Sequence, residues 1–124
     1  MKRFKKLFNK NTKTEIPPMP SWEKVIEIMY DKQLDYFSDK VVNAVYSKDK
    51  SMRYVILKNE KGYFTYQFEE LHQFDEYEWA VLDSTHNGLP AIWEPFSDRK
   101  SLFENTEELL KEMEKEPNYK QYFI

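Results

Sequence analysis

A chain of 124 residues, 40% apolar and with nine Tyr, nine Phe and three Trp, is sized for one core filled by large rigid side chains, and it holds no cysteine. That absence excludes a disulfide framework, thiolate metal ligation and a thiol nucleophile. The net charge of −3 hides an asymmetry: residues 1–14 carry six bases and no acid, so the body from Glu15 onward keeps thirteen of the nineteen bases against all twenty-two acids, a net of −9 that disfavours nucleic acid as its partner.

Residues 1–20 read as a basic arm followed by a linker, Ile16-Pro17-Pro18-Met19-Pro20, in which the prolines forbid helix. The arm has the bases of a signal peptide but no apolar core after them, because Asn9, Lys10 and Asn11 interrupt at once. No stretch approaches the roughly eighteen apolar residues that a spanning helix needs. The expectation is a cytoplasmic protein. Within the arm Phe4, Leu7 and Phe8 recur at i, i+3 and i+4 among basic side chains. Lys2, Arg3, Phe4, Lys5, Lys6, Leu7 and Phe8 therefore form a candidate interfacial anchor for anionic lipid on the inner membrane face. The competing reading is a solubilising start.

From Ser21, residues 21–124 read as a single α+β domain. Ser21 offers an N-cap, and Trp22, Val25, Ile26 and Met29 make the stripe of a helix expected to run to Leu34 or Phe37. Alternation then begins at Val41, with a strand to Tyr46, a turn at Ser47–Lys50 and a second strand over Met52–Lys58. Asn59-Glu60-Lys61-Gly62 predicts a tight hairpin into a third strand over Tyr63–Glu69. After a polar loop, Trp79–Asp83 reads as a fourth strand, Asn87-Gly88 as a turn and Ala91–Glu94 as a fifth, which Pro95 ends. About five strands on short connections imply an antiparallel meander, flanked by the N-terminal helix and a C-terminal one. The latter is signalled by Asn105 with Glu108 and by Leu109, Leu110 and Met113; Pro117 stops it, and the apolar tail Tyr119, Tyr122, Phe123 and Ile124 is expected to dock.

The segments DYFSDKVVNAVYSKDKSMRYVILKNEKGYFTYQFEEL, FDEYEW, LPAIWEP and EPNYKQYF, which span Asp35 to Phe123, resemble a group of small single-domain proteins of Gram-positive bacteria that have no assigned function. The resemblance implies one domain and carries no activity, cofactor or site residue with it.

Chemistry-bearing patterns are few. His72 and His86 sit in predicted loops fourteen residues apart, outside any metal-ligand spacing, and Ser84 and Thr85 beside His86 lack the third group and oxyanion site of a triad. Two glycines, Gly62 and Gly88, are too few for a phosphate cradle, so no cofactor and no metal are expected. Asp83 and Glu94, on neighbouring predicted strands near Trp79 and Trp93, are the carboxylate pair on which a small hydrolase would depend. The strongest asymmetry lies between Gly62 and Asp98, with eight acids and no Lys or Arg. There Glu69, Glu70, Asp75, Glu76 and Glu78, interleaved with Phe74, Tyr77 and Trp79, make a candidate surface for a basic protein, as in a small inhibitor or immunity protein. The plainer alternative is that these acids keep an aromatic-rich sheet soluble.

Overall fold

Two tight turns set the register of the sheet, and each is held by one carboxyl or amide oxygen. The computed structural model describes residues 18–82, 88–96 and 101–124. At Ser47–Lys50 the Asp49 Oδ1 atom accepts from Ser47 Oγ, Ser51 N and Ser51 Oγ at 2.9, 3.0 and 2.7 Å. These donors, the Ser51 N–H foremost, hold the Asp49 carboxyl below its ordinary range. At the next turn Asn59 Oδ1 accepts from Lys61 N and Tyr63 N, both at 3.0 Å. Gly62 there takes a φ of 92°, a conformation that L side chains rarely adopt.

These turns join β1 (Lys40–Tyr46), β2 (Met52–Lys58) and β3 (Phe64–Gln73), and β4 (Ala91–Pro95) completes an antiparallel meander in the order β1-β2-β3-β4. A register shift between Val41 and Asn43 bulges the edge strand β1, and Val42 is left exposed. On one face of the sheet Tyr54, Ile56, Tyr66 and Phe68 pack against Leu109 and Met113 of α3 (Thr106–Glu114). Tyr119 and Phe123 seal that face from α4 (Pro117–Tyr122) and the residue after it. On the other face Leu71, Ala91 and Trp93 meet Val25 and Met29 of α1 (Trp22–Met29).

Both outer helices are capped as their sequences predict. Ser21 Oγ accepts from Lys24 N at 3.3 Å, and Asn105 Oδ1 accepts from Glu108 N at 2.9 Å. The tail docks by Tyr119 and Phe123, whereas Ile124 is exposed. Pro117 both follows the end of α3 and opens α4, where its missing N–H costs nothing.

Three expectations are corrected. The described residues form four strands, not about five, because Trp79–Leu82 belongs to a helix, α2 (Glu76–Leu82). The helix α1 ends at Met29 rather than near Leu34 or Phe37, since Asp31 and Gln33 take positive φ and the carbonyls of Lys32 and Gln33 are drawn off to a buried arginine. The third strand continues to Gln73 because Leu71 is a core residue rather than part of a polar loop. Among the described residues no helix is long and apolar enough to cross a membrane.

Candidate functional site

The fold buries one acid of the acidic stretch, Glu69, and leaves the other described ones at or near the surface. Asp75 and Glu78 cap each other reciprocally: Asp75 Oδ1 accepts from Glu78 N at 2.7 Å, and Glu78 Oε1 accepts from Asp75 N at 2.9 Å. This box starts α2. Phe74 and Trp79 turn inward and pin the helix, both less than a tenth exposed. Tyr77 and Val81, one helical turn apart, turn outward and are 75% and 52% exposed. Asp75 and Glu76 lie beside them on the surface, and His72 Nε2 stands 3.6 Å from Glu78 Oε1, joining α2 to the end of β3.

On the face of the sheet that carries His72, Glu70 and Glu94 stand directly opposite each other on β3 and β4. Neither makes an ion pair among the described residues. Two carboxylates in that position repel and leave a local negative field that no described Lys or Arg pairs with. The negative surface therefore runs from the Glu70–Glu94 pair past His72 to Asp75 and Glu76, with Tyr77 and Val81 as its apolar centre.

Of the residues predicted to meet a partner, Glu69, Phe74 and Trp79 are buried and leave the surface, while Glu70, Asp75, Glu76, Tyr77 and Glu78 line it. Glu69 turns inward because β3 alternates and its side chain shares a face with Leu71, opposite to that of Glu70. Of the proposed carboxylate pair, Glu94 is exposed; Trp93, expected beside it, points to the other face. Asp83 lies outside the described residues, as do His86 and the whole arm Lys2, Arg3, Phe4, Lys5, Lys6, Leu7 and Phe8. Among the described residues no three His, Asp or Glu side chains are grouped as metal ligands would be.

The residue that the sequence reading missed is Arg53. It is fully buried, and all five of its N–H donors are spoken for. Nε donates to Glu69 Oε1 at 2.7 Å. Nη1 reaches Lys32 O at 2.8 Å and Tyr46 Oη at 3.3 Å, and Nη2 reaches Gln33 O at 3.1 Å and Tyr36 Oη at 3.4 Å. The second Glu69 oxygen accepts from Tyr36 Oη and Gln67 Nε2, each at 2.6 Å. The guanidinium lies 4.3 Å from the centre of the Trp93 ring, whose N–H donates to Met29 O at 3.0 Å. Burial, reinforced by the Glu69 carboxylate that accepts its proton, pushes the Tyr36 phenol well above the ordinary tyrosine range.

Gln33 completes the clasp by pairing its side-chain amide with the backbone of β4: Nε2 donates to Trp93 O at 2.8 Å and Oε1 accepts from Trp93 N at 2.9 Å. The node thus orders residues 30–39, which hold three left-handed non-glycine residues, Asp31, Gln33 and Phe37. A signal for it existed. A hairpin turning at Asn59–Gly62 sets Lys58 opposite Phe64, and counting back along both strands sets Arg53 opposite Glu69.

Compared with known proteins, the chain matches no family model, no curated protein and no solved structure. What its surface does must be read from its own geometry.

Proposed function

We propose that this domain is a non-enzymatic binding module that docks a basic protein on the acidic surface built around α2, in the manner of a small inhibitor or immunity protein. The supporting observation is the exposure of Tyr77 and Val81, in helical register, on a helix locked from behind by Phe74 and Trp79 and bordered by Asp75, Glu76, Glu70 and Glu94. A rigid tyrosine surrounded by charge of one sign suits association. The carboxylates raise the encounter rate with a cation-rich surface, and the ring and valine supply area that loses water on contact. Because the helix is already ordered by its cap and its buried side chains, little entropy is lost on docking.

Tagged full-length chain should retain a basic protein from cell lysate at about 50 mM salt and release it at about 500 mM, where surface charges are screened within a few ångströms. Tyr77→Ala should weaken that complex by roughly 2 kcal/mol, about thirtyfold. Glu76→Lys should slow its formation while leaving the fold intact. Retention that ignores both salt and these substitutions would remove α2 as the docking surface.

A further inference from the structure

The opposite end of the sheet carries a cluster of lysines and a different device. Lys40 opens β1, Lys58 ends β2, and the two are direct cross-strand partners. With Lys61 of the hairpin they border a groove of about 370 Å³ that Ser38, Asn59 and Glu60 also line. None of the three lysines makes an ion pair among the described residues, so the groove keeps a net positive charge even with Glu60 at its rim. Like charges set opposite each other on adjacent strands oppose sheet pairing, and an anion between them would relieve this. Asn59 commits its oxygen to the hairpin turn and has no partner for its amide nitrogen among the described residues, which leaves that N–H₂ able to donate to an anion.

Ser38 belongs to a two-residue turn closed by the bridge between Tyr36 and Asp39, and the residue before it is Phe37. Phe37 is 99% exposed and holds a φ of 63°, so a large apolar side chain is displayed in a backbone conformation that disfavours it. The turn cannot relax easily, because Tyr36 is hydrogen-bonded to the buried Glu69 and Arg53. Tyr63, which follows the hairpin, is 40% exposed.

We propose that this end of the domain is a membrane-contact tip: Phe37 enters the interfacial layer of an anionic bilayer while Lys40, Lys58 and Lys61 meet lipid phosphates across the groove. A fully exposed phenylalanine beside a compact basic groove suits the layered chemistry of a bilayer surface, where apolar and phosphate layers lie a few ångströms apart. Nucleic acid fits less well, since the body around this small patch carries a net charge of −9. The tip and the α2 surface lie at opposite ends of the sheet.

The test is co-sedimentation of the full chain with vesicles containing about 30% anionic phospholipid at about 0.15 M salt. Wild type should sediment with these vesicles and not with neutral ones. Each of Lys40→Gln, Lys58→Gln and Lys61→Gln should weaken partition about fivefold. Phe37→Ser should weaken it about tenfold or more, with the far-ultraviolet circular dichroism unchanged. Phe37→Trp should retain binding and give blue-shifted emission on contact with the vesicles. The proposal is overturned if wild type does not sediment, or if the tip substitutions leave binding unchanged while Lys5→Gln with Lys6→Gln abolishes it. It is likewise overturned if millimolar inorganic phosphate displaces the protein fully, which would make the groove a phosphate site, or if single-stranded oligonucleotide binds the tip more tightly than vesicles do.

Discussion

Arg53 shows how a single residue can order a segment distant in sequence. A buried ion pair is costly to desolvate, and this one is compensated because every donor of the guanidinium and both oxygens of Glu69 are hydrogen-bonded. Removing one partner leaves the other charge buried and unpaired. Arg53→Met is expected to cost about 3–5 kcal/mol in chemical denaturation, whereas the double change Arg53→Met with Glu69→Leu should recover much of that loss. Residues 30–39 should nevertheless exchange their amides faster in the double variant, since the acceptors Lys32 O and Gln33 O lose the donor that holds them. Tyr54 and Tyr66 offer a second test. Both donate to Glu116, at 2.9 and 2.7 Å, and burial followed by that carboxylate pushes both phenols well above the ordinary value of 10.0. A phenol with a raised folded pKa stabilises fully below its unfolded pKa and loses that contribution as pH rises toward the folded one. The domain should therefore lose stability above pH 10, and Tyr54→Phe with Tyr66→Phe should flatten the decline seen by thermal unfolding across that range.

At the level of elements, short apolar runs are where sequence and structure part. Trp79-Ala80-Val81-Leu82 has the composition of a strand, yet the reciprocal cap between Asp75 and Glu78 makes it a helix. The Asp-x-x-Glu spacing was present in the sequence as a start signal, and reading those acids only as charge concealed it. Asp75→Ala should cost about 1 kcal/mol and shorten the protection of α2 in hydrogen exchange while β2 and β3 stay protected. The two outer helices were legible because their caps and apolar stripes agree, and the β2–β3 hairpin was legible because Asn59 and Gly62 permit one turn geometry. The early end of α1 was not, since it depends on Arg53, twenty residues further along, competing for carbonyls that a longer helix would have used.

At the scale of the whole fold, a lysine cluster and the acidic α2 surface lie at opposite ends of the strands among the described residues. Ten residues of β3 span about 30 Å between the Lys58–Phe64 end and the Gln73–Ala91 end. Lys40, Lys58 and Lys61 gather at the first, and the α2 surface with its acids lies at the second. Lys48 and Lys50 also sit toward the second end, but on the β1 side of the sheet rather than beside β4. The lack of bases from Gly62 to Asp98 was visible in the sequence, whereas the inward turn of Glu69 and the outward turn of Tyr77 required strand and helix phases to be known. The most direct measurement is site-specific photo-crosslinking with a benzophenone side chain placed at position 77 of the full chain, and at position 63 for comparison. Docking on α2 predicts a discrete adduct from position 77 with a protein of isoelectric point above about 9, absent from position 63 and lost on Glu76→Lys. No adduct from position 77, or the same adduct from both positions, would contradict it.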